Sequence, residues 1–576
     1  MENFLHDNKD ILFHLKHMDI ERIVRLRENN FAEKDVYAHA PKDVDDAKDS
    51  YMKILEIIGE ICGEVLSPLA PEIDKEGVRI ENNNVVYAKG TKEVLDIFAK
   101  ADLMGFSLPR KYGGLNFPTT ILAIAAEIVA RADASFLNFG LQQDIAETLN
   151  KFGSEELKDK YLPLLCSGEC GSSMILTEPD AGSDLQAVTL RAHQGPDGRW
   201  YLNGVKRFIT NGCGKIGLVL ARSEEAHGAR GLSFFLYERD EHMLVRRVED
   251  KMGIHGSPTC ELQFNNAPAY LVGERKRGLT KYTMWLMNSA RLGIAAQALG
   301  IAEAAFREAD KYASERVQFD KPIRDFPAVF EMLTEMKINI EAGRTLMYET
   351  ARIVDLKEGL EHMSELHPDR KAEFKSDMKN YTRLASMFTP MSKMFNTEMA
   401  NRVADNAIQV QGGTGYMRDF NVERHYRDAR ITNIYEGTTQ LQVVAAINGV
   451  TSGTATAILD EYDSEDNSHA EGLIKLVRKA RNNFEKAIVH VKGIEDSQFF
   501  DYHARRMVEM AIDLIQSYLL IRDAKYSERK MKIAETFIRK MFTRVEEKMN
   551  FIISEESTLL KNYSDILLPE EEEAAK

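Results

Sequence analysis

The chain has 576 residues and a formal net charge of −15, with 44% hydrophobic and 29% charged residues. This length exceeds what one hydrophobic core supports, so we expect several domains, and the composition excludes an intrinsically disordered chain. The negative charge argues against nucleic acid as a partner, and no apolar run approaches the ~18 residues that a membrane-spanning helix needs.

The five cysteines are few and unevenly spaced, which favours a reducing, cytoplasmic location. Cys166 and Cys170 have the spacing of half a zinc site, but no second Cys or His pair answers them. Because a structural zinc site needs four ligands, we predict no bound metal.

Residues 1–171 are predicted to form a helical domain, because apolar residues recur there at helical spacing between Gly and Pro breaks. Residues 172–272 contain short apolar and aromatic runs, such as "KIGLVLARS" and "GLSFFLYERD", separated by turn residues. Such strands without helices between them predict a small antiparallel sheet domain or a β-barrel.

Amphipathic segments return in residues 273–450 and predict a helix bundle, which the charged stretch 356–380 is expected to interrupt as a solvated insertion. Residues 451–576 are predicted to be an additional helical extension. It begins with a linker-like stretch, 451–468, and ends in an acidic tail, 569–576. The expected fold class is therefore α+β and multidomain, mostly helical, with a middle β-barrel.

Two loops contain the small residues that let a backbone approach a ligand closely. The first is "LTEPDAGSD", residues 176–184, and the second lies in "IQVQGGTGY", residues 408–416. The alternatives are a plain helix-to-strand turn for the first loop and a helix C-cap for the second. No G-x-G-x-x-G joins a strand to a helix, so a Rossmann nucleotide site is not predicted.

Glu436 lies in "ITNIYEGTTQ", preceded by the bulky residues Ile434 and Tyr435 and followed by Gly437. Partial desolvation would raise the pKa of its carboxyl group toward neutrality, where a general base works well. The alternative is an unpaired surface glutamate. The residues just before it that we interpret as structural ion-pairing residues are Arg427, Asp428 and Arg430.

Four segments, in this order, resemble the signature segments of the acyl-CoA dehydrogenase family: "LTEPDAGSD", "GVKRFITNG", "ERVQFDKPI" and "IQVQGGTGYMRDFNVERHYRDARITNIYEGTTQLQ". The resemblance covers roughly residues 50–450, so residues 1–50 are atypical of the family. The last segment is most similar to the short-chain, butyryl-CoA branch. The total length is similar to that of the longer bacterial members with a carboxy-terminal helical extension.

The resemblance implies an amino-terminal helical domain, a middle β-barrel and a carboxy-terminal four-helix bundle, with FAD extended between domains and reaching a neighbouring subunit. It implies dehydrogenation of an acyl-CoA thioester to the trans-2-enoyl-CoA, in which Glu436 removes the α-proton and flavin N5 takes the β-hydride. The backbone N–H at the base and a flavin ribityl hydroxyl would bind the thioester oxygen. Electrons would pass to an electron-transferring flavoprotein, and a short straight acyl chain is expected.

The same resemblance assigns residues to the two ligands, with Arg316 at the pyrophosphate of FAD. The cofactor set is Met174, Ile175, Leu176, Thr177, Gly182, Ser183, Phe208, Ile209, Thr210, Arg316, Gln409, Val410, Gln411, Gly412, Gly413, Thr438, Thr439 and Gln440. The acyl-CoA set is Ser183, the substrate-contacting turn Asn288, Ser289, Ala290 and Arg291, and Gly437.

Some positions depart from the family pattern. Phe208 stands where many relatives have Trp, Asn288 replaces an acid that is frequent in the short-chain branch, and Asp320 occupies a usual glycine. Isovaleryl-type relatives carry their base just before the arginine matched by Arg291, where this chain has Ala290, so Glu436 has no rival.

A homodimer is preferred over a tetramer, because in long relatives the extension covers the surface that pairs dimers. The basic amphipathic stretch 521–548 could contact a membrane surface peripherally, but we favour its packing on its own bundle. Two functional alternatives stay open. One is an acyl-CoA oxidase that uses dioxygen, and the other is a non-dehydrogenase relative of the alkylation-response type.

Overall fold

The structure is a computed structural model that describes residues 2–141 and 143–568, so the acidic tail 569–576 lies outside the described residues. The chain forms two compact units. Of the described residues, the first unit contains those in 2–382 and 392–438, and the second contains those in 383–391 and 439–568.

The first unit is mostly helical, as the apolar periodicity of its sequence predicts, and its longest helices bury one face in a common core. The long helix α12 also supplies residues 383–391 of the second unit. The helices are α1 (Lys9–His17), α2 (Glu21–Arg27), α3 (Val44–Ile61), α4 (Ser67–Glu76), α5 (Lys89–Lys100), α6 (Thr119–Ala132), α7 (Ala134–Gly140), α8 (Asp144–Phe152), α9 (Glu155–Cys166), α10 (Met284–Glu315), α11 (Pro327–Leu366), α12 (Lys371–Gln411) and α13 (Val422–Thr432).

Arg344 of α11 connects the amino-terminal segment to this core. Its buried guanidinium contacts Glu127 of α6 at 2.6 Å, Glu303 of α10 at 2.9 Å and Asp10 of α1. A buried charge is tolerated only when it is paired, so these contacts fix α1 against the bundle. The family-atypical residues 1–50 are therefore an integral part of the first unit.

The middle of the first unit is a β-barrel, which confirms the β-rich domain expected from the sequence. The ring runs β6–β4–β5–β9–β7 and returns to β6, while β3 pairs with β6 and β8 with β9. The strands are β3 (Ser172–Ile175), β4 (Arg191–Gln194), β5 (Trp200–Thr210), β6 (Ile216–Arg222), β7 (Leu232–Glu238), β8 (Met243–Val248) and β9 (Thr259–Val272).

Strands β6 and β7 are buried on both faces. Val219 and Phe235 pack in one apolar cluster with other strands, whereas Leu218 and Phe234 pack in a second cluster with helices α8 and α9. This explains why both strands appear in the sequence as unbroken apolar runs rather than as alternating patterns.

Three features of the first unit differ from expectation. The sheet is mixed rather than antiparallel, because β3 runs parallel to β6. A short hairpin, β1 (Arg79–Glu81) and β2 (Asn84–Val86), lies within the helical region. The stretch 356–380 is not an interrupting insertion: it continues α11, where Leu356 and Leu360 are buried, and then begins α12. Charge density therefore masked a helix with one buried face.

The second unit is helical, and α16, α17 and α18 pack against one another. Its helices are α14 (Thr439–Thr451), α15 (Thr454–Ser464), α16 (Glu471–Gly493), α17 (Ser497–Ala524), α18 (Glu528–Ile553) and α19 (Thr558–Ile566). Among the described residues no single helix is long and apolar enough to cross a membrane. The bent pair α14 and α15 meets that test only when its two helices are taken together.

One expectation for this unit needs correction: the linker-like stretch contains helix α15, which buries Ala455, Ile458 and Leu459. The basic stretch 521–548 spans the end of α17 and most of α18. The packing that we favoured for it is present: α18 buries Phe537 and other apolar residues within its own bundle.

Candidate active site

Glu436 lies in the loop that follows α13, with a backbone conformation that is uncommon for its residue type. Its φ is 54°, and the next residue, Gly437, has φ 90°. A residue with a β-carbon adopts the left-handed region at a cost of about 1 kcal/mol, so it stays there only where neighbouring contacts hold it. Such strain is concentrated at functional sites, which makes this loop a candidate.

Tyr435 anchors the Glu436 loop to helices α10 and α7. Its hydroxyl donates to Gln297 Oε1 of α10. Gln297 Nε2 in turn donates at 2.8 Å to the carbonyl of Ala134 and at 2.8 Å to Asn138 Oδ1. The side chain before the candidate base is therefore held by α10 and α7 together.

Lys393 of α12 holds the same loop from another side. It is fully buried, and its Nζ donates to the carbonyl of Gly437 at 2.7 Å and to that of Thr432 at 3.1 Å. Burial lowers the pKa of Lys393 to about 7, while nearby Glu436 opposes this shift and Arg291 adds to it.

The carboxyl group of Glu436 has the electrostatics of a general base. Its Oε2 atom is buried although the residue as a whole is half-buried. Burial raises the pKa of Glu436 to about 7, and the positive charges of Lys393 and Arg291 limit that rise. The shift has the direction expected from the sequence, and a carboxylate of this kind accepts protons effectively at neutral pH.

The predicted acyl-CoA residues 288–291 form part of helix α10 rather than a separate turn. Arg291 is buried, and its Nη1 donates to Asn288 Oδ1 at 3.0 Å. Ser289 Oγ donates to Glu147 of α8 at 3.2 Å. Burial raises the pKa of Asp144 in α8 to about 7, and the charges of Glu436 and Glu147 add to the rise. Two further acids are therefore near the candidate site: Glu147 contacts a predicted substrate residue, and Asp144 interacts with Glu436 through its charge.

A buried ion pair supports the loop at residues 176–184. Lys206 of β5 contacts Glu178 at 3.0 Å and donates to the carbonyl of Leu176 at 2.6 Å. Glu178 also accepts hydrogen bonds from the backbone N–H groups of Thr189 at 2.8 Å and Leu190 at 2.9 Å. Burial alone would raise the pKa of Glu178, but Lys206 and these hydrogen bonds hold it below its usual value.

Phe208 is turned outward by an irregularity in β5. The register of β5 against β9 shifts between Lys206 and Ile209, which indicates a β-bulge. Phe208 consequently has φ 60° and is 53% exposed, whereas Ile209 is buried. The neighbouring Arg207 N–H donates to the carbonyl of Thr177 at 2.9 Å, so two predicted flavin segments are joined here.

The residues predicted to bind FAD at the end of α12 have the features of a ligand cradle. Gly412 has φ 60°, and a β-carbon on Gly412 or Gly413 would meet nothing within 4 Å. Gln411 is buried, and its Oε1 has no hydrogen-bond partner among the described residues. Arg316, at the end of α10, is exposed. Open space and an accessible guanidinium fit an extended dinucleotide diphosphate.

The other predicted contacts are placed as follows. Met174 and Ile175 end β3, while Gly182 and Ser183 are exposed in the following loop. Thr438 follows Gly437 in the first unit, whereas Thr439 and Gln440 begin α14 in the second. Val410 is buried and Gln409 exposed at the end of α12, Thr210 ends β5, and Ala290 is half-buried in α10.

The interpretation of the segment before Glu436 is confirmed in part. Arg427 forms ion pairs with Asp74 and Glu423, both at 2.6 Å. Asp428 instead accepts the backbone N–H of Ile254, and Arg430 donates to Asn433 Oδ1 at 2.6 Å. These residues are structural, but only Arg427 forms ion pairs here among the described residues.

Sequence reasoning missed Lys393, Lys206, Asp144 and Gln297. Each lies in a helix or strand and interacts with a group far along the chain; Lys393 and Gly437, for example, are 44 positions apart. Only Gln297 carries a local signal, because it interrupts the apolar helical run 292–302, and such a side chain is typical of a buried, paired group. Among the described residues, no three or more His, Cys, Asp or Glu side chains group as metal ligands.

Comparison with known families gives four matches in chain order. They are to the acyl-CoA dehydrogenase N-terminal domain (residues 49–169), middle domain (173–267) and C-terminal domain (277–448), and to a further "Acyl-CoA dehydrogenase C terminal" domain (451–557).

Individual proteins agree with this. The chain is 35% identical over 461 residues to the 3-methylmercaptopropionyl-CoA dehydrogenase of Ruegeria pomeroyi, covering 75% of this chain and 74% of that protein. It is 32% identical to the solved butyryl-CoA dehydrogenase of Megasphaera elsdenii, with a TM-score of 0.59, covering 70% of this chain and 98% of that one. An acyl-CoA dehydrogenase from Bacillus anthracis complexed with FAD shares the fold, with a TM-score of 0.73 at 24% identity, over 89% of this chain and 88% of that one. The chain therefore belongs to the acyl-CoA dehydrogenase family of FAD-dependent oxidoreductases.

Proposed function

We propose that the enzyme converts an acyl-CoA thioester to its trans-2-enoyl-CoA, with Glu436 as the base that removes the α-proton. The observation that carries this proposal is the Glu436 carboxyl group itself. It lies in a strained loop, and burial raises its pKa to about 7. A base of that strength is half ionised near neutral pH and returns the proton to solvent readily once the product has left.

The residues of this chain would act by positioning. Tyr435 and Lys393 fix the loop of the base, and the backbone N–H of Glu436 is the proposed donor to the thioester oxygen, a contact worth about 3 kcal/mol in comparable sites. Asn288, Ser289 and Arg291 are the proposed contacts to the acyl-CoA. Bound FAD supplies the acceptor for the hydride that leaves the β-carbon.

The proposed FAD contacts divide into three groups. The loop at 176–183 and the outward-turned Phe208 would face the ring system. Arg207, next to Phe208, is hydrogen-bonded to Thr177 of that loop, which holds the two segments together. The cradle at 409–413, with Arg316, would hold the diphosphate and adenosine part. Thr438, Thr439 and Gln440 are the remaining proposed FAD contacts.

The finer assignments are also proposals. A short straight acyl chain is supported by the likeness to butyryl-CoA dehydrogenase, although the Ruegeria relative acts on a thioether-containing acyl group by its name. We further propose an electron-transferring flavoprotein as acceptor, a homodimer, a cytoplasmic location in which the five cysteines stay free, and a role in fatty acid β-oxidation. The proposed domain boundaries fall after residues 171, 272 and 450.

Anaerobic titration of the FAD-loaded enzyme with acyl-CoAs tests the proposal. We expect butyryl-CoA to bleach the flavin absorbance of wild type, and Glu436→Gln to retain FAD without bleaching. A panel of longer, branched and thioether acyl-CoAs identifies the preferred chain. Bleaching by Glu436→Gln at the wild-type rate would contradict the assignment.

Reoxidation of the bleached enzyme distinguishes the acyl-CoA oxidase alternative. We expect slow reoxidation by dioxygen and rapid reoxidation by an electron-transferring flavoprotein. The reverse order would assign the chain to the oxidases. No bleaching by any acyl-CoA, together with duplex DNA binding that weakens as salt rises, would favour the alkylation-response type.

A further inference from the structure

Lys393 is placed at both ends of the loop that carries Glu436. Its Nζ donates to the carbonyl of Thr432, before Glu436, and to that of Gly437, directly after it. The side chain has no exposed surface. One buried ammonium therefore ties together the two backbone positions that determine where the carboxyl group points.

The contact with Thr432 closes the end of a helix. Thr432 is the last residue of α13, and the carbonyls of a last helical turn have no partner within the helix. A cation at this end is also favoured by the helix dipole. Asn401 of α12 donates at 3.0 Å to the carbonyl of Ala429, one turn earlier, so α12 caps α13 with two side chains.

The contact with Gly437 holds the strained part of the loop. Glu436 has φ 54° and Gly437 has φ 90°, and a loop without fixed ends would relax such a conformation. Because the Gly437 hydrogen bond is 2.7 Å long and its Lys393 donor is buried, it is a strong constraint on that carbonyl. The geometry of Lys393 thus accounts for the persistence of the strain.

We propose that Lys393 is a positioning residue for the base: its hydrogen bonds fix the Glu436 loop in the reactive geometry, and its charge favours the ionised carboxylate. This inference rests on the proposed function for what the carboxylate does, but not for how the loop is held. Lys393 itself need not touch the substrate.

Three charged groups from different helices act on Glu436, and their effects differ in sign. Lys393 of α12 and Arg291 of α10 lower the pKa of Glu436. Asp144 of α8 interacts with Glu436 as a like charge. Burial lowers the pKa of Lys393 to about 7, so its charge is present mainly at and below neutral pH. Removing that charge should move the ionisation of Glu436 to higher pH.

Two substitutions separate the hydrogen bonds from the charge. Lys393→Met removes both, whereas Lys393→Gln removes the charge and keeps an N–H donor for the carbonyls. Ser392→Ala, at the adjacent buried position of α12, is the matched control. The rate of flavin bleaching by butyryl-CoA is measured in a single turnover across pH in the FAD-loaded enzyme.

For Lys393→Met we expect the plateau rate to fall about 100-fold, as for a displaced reacting group, and the midpoint of the pH profile to rise by about one unit. Lys393→Gln should show the same rise in midpoint with a smaller loss of rate, and Ser392→Ala should match wild type. A folded, FAD-saturated Lys393→Met with the wild-type rate and midpoint would overturn the proposal. If the Met variant does not fold, an unchanged midpoint in Lys393→Gln would do so.

A second readout keeps the test independent of turnover. The difference in melting temperature between wild type and Glu436→Gln should change with pH, and the midpoint of that change reports the pKa of Glu436. The same comparison is made between Lys393→Gln and the double variant Lys393→Gln, Glu436→Gln, where the midpoint should be higher. An unchanged midpoint would overturn the electrostatic part of the inference. A wild-type enzyme that bleaches with no acyl-CoA would instead contradict the proposed function alone.

Discussion

The first unit contains two buried lysines that each lie near a glutamate: Lys206 near Glu178, and Lys393 near Glu436. The surroundings of the two glutamates differ. Lys206 contacts the Glu178 carboxylate directly at 3.0 Å, and Glu178 also accepts backbone hydrogen bonds. Lys393 directs its two described hydrogen bonds to backbone carbonyls beside Glu436 instead. The pKa of Glu178 is held below its usual value, whereas burial raises that of Glu436 to about 7.

The difference shows how one pair of residue types serves two purposes. A carboxylate that receives an ammonium and several N–H groups is stabilised in its charged form and has no tendency to take up a proton. A carboxylate whose nearby lysine is bonded to the backbone keeps its proton affinity while its position is fixed. The first arrangement supports a loop, and the second suits a base.

The largest effect is expected from breaking the supporting pair. Lys206→Met leaves Glu178 buried without its partner, which should destabilise the protein by about 3–5 kcal/mol and release FAD. Thermal unfolding and flavin content measure both consequences. The double variant Lys206→Met, Glu178→Leu should recover part of the stability, and a single variant that melts like wild type would show that the pair is not structural.

A smaller and opposite effect is expected at the base. The pKa of Glu436 in the folded state is about 7 against its usual 4.5, so the folded state binds more protons than the unfolded state between these values. Its contribution to stability is therefore lost as pH rises through 7. Glu436→Gln removes this penalty and should be more stable than wild type above pH 7 by about 2 kcal/mol, which allows for partial exposure.

Melting temperatures of the two proteins between pH 4 and 9 check this expectation. The difference should vanish below the usual pKa of glutamate, where the wild-type side chain is protonated in both states. A constant difference across the range would mean that Glu436 ionises normally.

The smallest effect is expected where backbone strain has no chemical use. Asp320 has φ 64°, in the position of a usual family glycine. Asp320→Gly removes the β-carbon strain but adds freedom to the unfolded chain, so stability should rise by less than about 1 kcal/mol. Flavin bleaching should stay unchanged, in contrast to substitutions around the strained Glu436. Lower stability would show that the Asp320 side chain makes a contact that matters.

Much of the fold could be predicted from the sequence, because its signals are local. The runs in β6 and β7 and the helical periodicity of α10 mark their elements directly. Helix α15 was missed because its small and acidic residues hid a spacing that buries Ala455, Ile458 and Leu459 on one face. Composition is a weaker guide than periodicity when a helix is short.

The sequence motifs of the site could be predicted, but the distant residues that hold the Glu436 loop in place could not. Glu436 is marked by its neighbours in the chain, whereas Lys393 reaches it only because α12 and α13 pack together. Neither the positive φ of Glu436 nor the bulge that exposes Phe208 follows from residue type, since both depend on contacts between distant segments. Long-range packing is what one sequence does not display.

The pH dependence of flavin bleaching in a single turnover tests the central claim most directly, because it reports the ionisation of the group that removes the proton. With saturating butyryl-CoA, the rate should rise about tenfold per pH unit below 7 and level off above it, and Glu436→Gln should show no bleaching at any pH. A rate that is independent of pH, or a variant that bleaches like wild type, would contradict the account.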